Sequence, residues 1–530
     1  MKRFIKCNLL LILLGLISSC DRISTDDHIS YIDQSNLSHE MIVLGDRLEN
    51  PYKTNNVRTA YKSLYPTKSR DDIQSTNYYV RFLPKNKEEF DLLSSYELEL
   101  LDHPVDYSIK VDGDYYRDPE VEDDEITWQY TVVPYDFDFP ENIEYEIIDE
   151  CFLAENSTET KSMTDIDWNA VERKSYELTG NGSIISPETK GNKICPSGRI
   201  TIVDEKANGG KPFGVAGVRV MCNSFIKFSY AYTDRDGYYK IPKEFSAKLR
   251  YRLIFVNSKK FSIGFNLILV PASVSTLGSA SPDGVNMKIT KKSNKKLYTR
   301  SVVNNAVYDY ITRCGEEDMN IAPPPKDIRI WLFQSMAVST TPMLHHGAIV
   351  EQEFTNEYLN LASVVAKIIG PDIILGTKDK LEYDTIYGAV CHELAHTSHY
   401  VKVGNSYWNK YLEHVLSTYL INKIMDYGSK GADYSGHCEV AEMWAYYLET
   451  QMYNERYNSD SATRGTAYWF YPQILRYIED RGVSKAEIFK ALGSDINTKD
   501  LLYNKFISLY PSKSEMIEQA FKRYNQNEDE

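Results

Sequence analysis

Residues 392–396 read His-Glu-Leu-Ala-His, and this pentapeptide constrains the chain more than any other stretch. Two histidines four apart fall one turn above each other on a helix, so both imidazoles reach a single metal ion. Glu393 projects from the adjacent side, where its carboxylate meets a water on that metal without being a ligand. Leu394 and Ala395 keep the spacers apolar, as a buried helix requires. A zinc site needs a third protein ligand and one open position, so a second segment must fold over this helix. His399 shares the stripe, but seven residues along an unbroken helix is a rise of about 10 Å. It therefore reads as a core or supporting residue. The chain holds only ten histidines in 530 residues, which makes three of them within eight positions informative.

Two carboxylates can complete the site. In GHCEVAEMWAYYLE, Glu439 and Glu442 stand three apart on one face of a predicted helix. The HELAH helix followed by a glutamate helix resembles the gluzincin class of HExxH metallopeptidases, over about residues 300–530. In that class the third ligand commonly opens a Glu-x-x-Ala run, and Glu442-Met443-Trp444-Ala445 fits this pattern better than Glu439 does. The resemblance implies one zinc ion held by His392, His396 and Glu442, with Glu439 as the alternative. It also implies peptide-bond hydrolysis with Glu393 as general base, within a two-lobed zincin-like α+β domain over residues 290–530. An edge strand at 373–375 would align a protein or peptide substrate by β-augmentation. Members of the class stabilise the oxyanion with a Tyr or His, for which Tyr434, His437 and Tyr446 are the candidates. The longer HExxHxxGxxH pattern does not apply, because His399 and Lys402 stand where its glycine and last histidine would.

The start of the chain, MKRFIKCNLLLILLGLISSC, pairs a basic opening with an apolar run over residues 9–17 that is too short to span a bilayer. Its end, Ile17-Ser18-Ser19-Cys20, resembles the bacterial lipobox. That resemblance implies a signal peptide over 1–20, lipidation of Cys20, and a lipoprotein anchored in the cell envelope, at the outer membrane or cell surface. A net charge of −15 argues against nucleic acid or an anionic membrane surface as a partner. Six further cysteines, at 151, 195, 222, 314, 391 and 438, permit disulfides in an oxidising compartment. Cys391 and Cys438 adjoin His392 and Glu439, so they can pair and staple two ligand-bearing helices; two buried thiols are the other reading.

Between the ends the expectation is a multidomain α+β chain. Residues 21–75 read as a tether and 76–154 as a β-rich domain with no chemistry to name. Residues 155–195, rich in Ser, Thr, Gly and Asn, read as a linker. The Gly-punctuated strands of 196–272 resemble a carboxypeptidase-regulatory-like β-sandwich, which implies an immunoglobulin-like spacer. There Asp234 and Asp236 are turn formers or a calcium site. The 41 tyrosines suit a strand-rich extracytoplasmic protein better than a dedicated carbohydrate- or peptide-contacting surface. A competing function is an adhesin or glycan- and protein-binding lipoprotein whose peptidase-like module is not catalytic. The intact Glu393 weighs against it.

Overall fold

The computed structural model describes residues 41–69, 73–121, 126–157, 165–185, 193–264, 272–334, 336–348, 370–422 and 427–525. The signal segment with Cys20 lies outside them. The architecture is mixed α+β. The N-terminal part comprises β1 (Val43–Arg47), α1 (Thr54–Leu64), β2 (Asn77–Leu83), α2 (Lys87–Ser95), β3 (Tyr107–Val111), β4 (Gln129–Pro134), β5 (Glu144–Cys151) and α3 (Trp168–Leu178). Strands β4, β2 and β5 form an antiparallel sheet in that order, and β1 pairs with β3.

Two expectations are corrected here. The tether does not extend to residue 75, because α1 buries Val57, Ala60 and Tyr61 against Phe152 and Val171. The linker is likewise not structureless. Asp167 caps α3 by accepting from the amides of Asn169 and Ala170, and Val171, Ser175 and Tyr176 face the interior.

The middle of the chain supplies β6 (Ser197–Ile202), β7 (Phe213–Gly214), β8 (Val218–Ser224), β9 (Lys227–Tyr232), β10 (Tyr238–Lys240), β11 (Leu249–Asn257), β12 (Phe261–Ile263), β13 (Val274–Ala280) and β14 (Met287–Ile289). One sheet runs β10-β6-β14 with β7 beside β6; β8, β9, β11, β12 and β13 belong to the other. Period-two alternation splits the side chains of the second sheet between two cores. Val218, Val220, Cys222, Leu249, Leu253 and Phe255 face the first sheet, while Met221 and Ile254 pack on Tyr52, Tyr79 and Tyr130 of the N-terminal part. Asp234 Oδ1 accepts from the amides of Asp236 and Tyr238, which commits it to the turn.

Helix α4 (Lys295–Cys314), β15 (Ile328–Phe333), β16 (Ile373–Gly376), α5 (Tyr383–Asn422) and α6 (Ser435–Tyr457) follow, then α7 (Gln473–Glu479), α8 (Lys485–Ala491), α9 (Lys499–Leu509) and α10 (Ser514–Asn525). The sandwich is no detached spacer. Strand β12 pairs in parallel with β15, and β15 with β16, so one seven-stranded sheet crosses the expected boundary between 272 and 290. A single apolar core runs from Ile200 to Phe521. Among the described residues no helix is long and apolar enough to cross a membrane.

Candidate metal centre

Helix α5 carries the HELAH residues and breaks at Gly404, where φ of 76° and ψ of 177° suit glycine alone. The break lets the second run of α5 turn back, so that Tyr407, Trp408 and Tyr411 pack beside the first. Trp408 lies 5.7 Å from the His396 ring and 6.1 Å from that of His399. Helix α6 crosses the other side, where the indole of Trp444 donates to the Ala395 carbonyl at 3.1 Å.

The crossing brings Glu442 between the two imidazoles. His392 Nε2 stands 3.2 Å from Glu442 Oε2, and His396 Nε2 stands 3.3 Å from Glu442 Oε1. A tetrahedral zinc with bonds of about 2.0 Å sets its ligand atoms about 3.3 Å apart. One ligand atom from each of the three residues lies within 4.8 Å of the others, and all three side chains are buried. Glu442 Oε2 has no hydrogen-bond partner among the described residues. A buried carboxylate oxygen lacking one is costly unless a cation meets it. The donor set, two imidazoles and one carboxylate, therefore fits zinc.

Glu439, the alternative ligand, faces elsewhere. Its Oε2 accepts from the Lys499 amide at 3.1 Å, and the Lys499 ammonium is 3.7 Å from Oε1. Three residues along the helix is a rotation of about 300°, enough to take Glu439 off the imidazoles and onto the start of α9.

Electrostatics bind the cluster together. Burial pushes the Glu442 carboxyl up, but the adjacent imidazoles of His396 and His392 outweigh it and hold the group well below the carboxylate range. Burial disfavours a charged His392, yet Glu442 and Glu449 raise it well above its ordinary value. Glu393 is raised by burial, against the pull of His392, His396 and Thr341. Its Oε2 accepts from the Thr341 hydroxyl at 2.7 Å, and the Trp408 indole donates to the Thr341 carbonyl at 2.9 Å.

The remaining expected residues separate. Tyr446 adjoins the site, its ring 4.4 Å from that of His392, and its hydroxyl is 3.0 Å from that of Tyr427. His437 instead packs 4.6 Å from the Tyr407 ring, and Tyr434, at the start of α6, packs on His437 at 5.8 Å. Burial and the nearby Lys410 push the His437 ring down to about 4. His399 is a core residue, fully buried between Tyr407 and Trp408 and pushed down to about 3 by burial. Cys391 and Cys438 are both free buried thiols, so no disulfide staples the ligand helices. The outer side of residues 373–375 is not open, since Thr340 pairs antiparallel with Ile374 through bonds of 2.9 and 2.8 Å. The segment 336–344 takes that outer position.

Four residues at this site were not anticipated from the sequence: Thr341, Tyr411, Glu449 and Arg464. The Tyr411 hydroxyl donates to Glu442 Oε1 at 2.8 Å. Of the four, only Glu449 had a spacing to offer, seven residues beyond Glu442 and so two turns along the same face of α6. The chain matches no family model, no curated protein and no solved structure.

Proposed function

We propose that the protein is a zinc-dependent peptidase of the gluzincin type, held to the cell envelope through lipid on Cys20. One observation carries the catalytic reading. The carboxylate of Glu442, on a separate helix, sits 3.2 and 3.3 Å from the two imidazoles while Glu393 lies on the same helical turn as His392. Zinc bound by His392, His396 and Glu442 supplies a Lewis acid for a peptide carbonyl and acidity for a water.

The chain's own residues do the rest. Glu393 accepts the water's proton as oxygen adds to the carbonyl carbon, then delivers that proton to the departing amine. Thr341 holds the Glu393 carboxylate through Oε2. Tyr446, beside His392, is the candidate donor to the oxyanion. A peptide substrate would run along the outer edge of 336–344, where Ala337 is exposed and Val338 and Ser339 are half-buried. The two lobes are then the sheet with α4 and the first run of α5 on one side, and α6 with α7–α10 on the other.

The test is a peptide-library cleavage profile of the purified protein beside Glu393→Gln. Cleavage should be abolished by a chelator and restored by zinc, and the variant should lose about 10²- to 10⁴-fold in rate while keeping its zinc. A zinc-loaded wild type that cleaves nothing would overturn the catalytic reading in favour of a binding lipoprotein.

A further inference from the structure

The proposed site contains an ion pair that the ligand set and the general base leave unused. His392 Nδ1, the nitrogen turned away from Glu442, donates to Glu449 Oε2 at 3.2 Å. The other oxygen of the same carboxylate accepts from Arg464 Nη1 at 2.5 Å. Glu449 is buried, and the guanidinium of Arg464 is partly buried over the ring of Tyr453 at 4.4 Å. The Arg464 amide is tied down beside it by donating to Thr450 Oγ1 at 3.0 Å.

The helix itself makes room for this pair. Gly388 lies one turn before His392, and a Cβ there would come within 2.5 Å of Arg464 Nη1 and 3.0 Å of Glu449 Oε1. The other imidazole has nothing comparable, since His396 Nδ1 is buried with no hydrogen-bond partner among the described residues.

Resting on the zinc reading above, we infer that Glu449 and Arg464 act as a positioning pair for His392. Glu449 fixes the ring with its Nδ1 protonated and its Nε2 turned toward Glu442, and Arg464 fixes Glu449. The physical need is clear. An imidazole ligates through one nitrogen only when the proton sits on the other, and a carboxylate on that N–H sets both tautomer and ring orientation. A buried carboxylate in turn needs a partner for its second oxygen, which the Arg464 guanidinium provides through Nη1. Gly388 is the third member, because only a residue without Cβ leaves the guanidinium its place.

The test is zinc affinity by chelator competition, which does not require turnover, together with the thermal midpoint of each zinc-free protein. Glu449→Gln should bind zinc about 10- to 100-fold more weakly than wild type. Gly388→Ala should shift affinity the same way although it touches no ligand, and Glu449→Asp should recover part of the loss. Tyr453→Phe, which keeps the ring under Arg464, should bind as wild type does. Glu449→Gln and Gly388→Ala both binding within twofold of wild type would overturn the pair. Should wild type itself take up no zinc, the metal reading falls. The orientation of the His392 ring in a crystal structure of Glu449→Ala then decides the pair alone: a displaced ring supports it and an unmoved one ends it.

Discussion

At the scale of single residues, the site divides into what local spacing carries and what only the fold can bring. The cluster of His392 and His396 was legible because helix geometry brings an i, i+4 pair within reach of one ion wherever the helix lies. Glu442 was legible as one of two candidates, and the structure separates them by what each faces, imidazoles for Glu442 and Lys499 for Glu439. Tyr411, Thr341 and Arg464 reach the site across loops and helices, so no local spacing announces them. Their effects are testable. Tyr411→Phe removes a hydrogen bond to a charged oxygen, which contributes about 1.5–3 kcal/mol, and zinc affinity by chelator competition should fall about tenfold or more. Thr341→Val keeps the shape but frees the base. Its kcat should drop while zinc content is unchanged, and equal loss of zinc would show that Thr341 supports the ligands instead.

At the scale of elements, the helix pair α5 and α6 builds the site, and Gly404 decides how α5 is divided. Gly404→Ala meets no atom within 4 Å, so its cost is backbone strain alone. A cost of about 1–3 kcal/mol follows, read as a lowered midpoint in urea. An unchanged midpoint would mean that α5 can straighten there. The helices inside the expected tether and linker were hidden by composition. Polar runs masked α3 and α1, although Val171, Ser175 and Tyr176, and likewise Val57, Ala60 and Tyr61, repeat at helical spacing. A short apolar stripe in a polar context is a weak signal, and these helices are stable because they have a sheet and each other to pack on.

At the scale of the whole molecule, the sandwich and the site-bearing half are joined by more than sequence. Besides the shared sheet, buried amides of Asn257, Asn304 and Asn305 bond the Gly214 and Ala216 carbonyls, tying α4 to the β7–β8 turn. A fragment beginning at residue 290 would expose β15 and leave the amides of Asn304 and Asn305 unpaired, so it should fail to fold, whereas one beginning near 193 should fold and bind zinc. A soluble, cooperative 290–530 fragment would refute the shared core. The N-terminal part docks through a buried His103, which stands beside Asp102, Arg250 and Arg252, with Asp112 on Arg250. Burial and the two arginines push His103 down to about 4 despite Asp102. A histidine held neutral contributes stability that is complete above its unfolded value of about 6.5 and lost as pH falls from there toward 4, up to about 3 kcal/mol. Urea unfolding between pH 7 and 4.5 should show this loss, and His103→Gln should flatten it.

The proposed metal joins these scales, because it would link α5 to α6 through His392, His396 and Glu442. The most direct measurement is the zinc content of the purified full chain and its single-site variants. One zinc per chain in wild type, Glu393→Gln and Glu439→Ala, with loss in His392→Ala, His396→Ala and Glu442→Ala, is the predicted result. Zinc retained at full stoichiometry in Glu442→Ala, or absent from wild type supplied with it, would contradict the account.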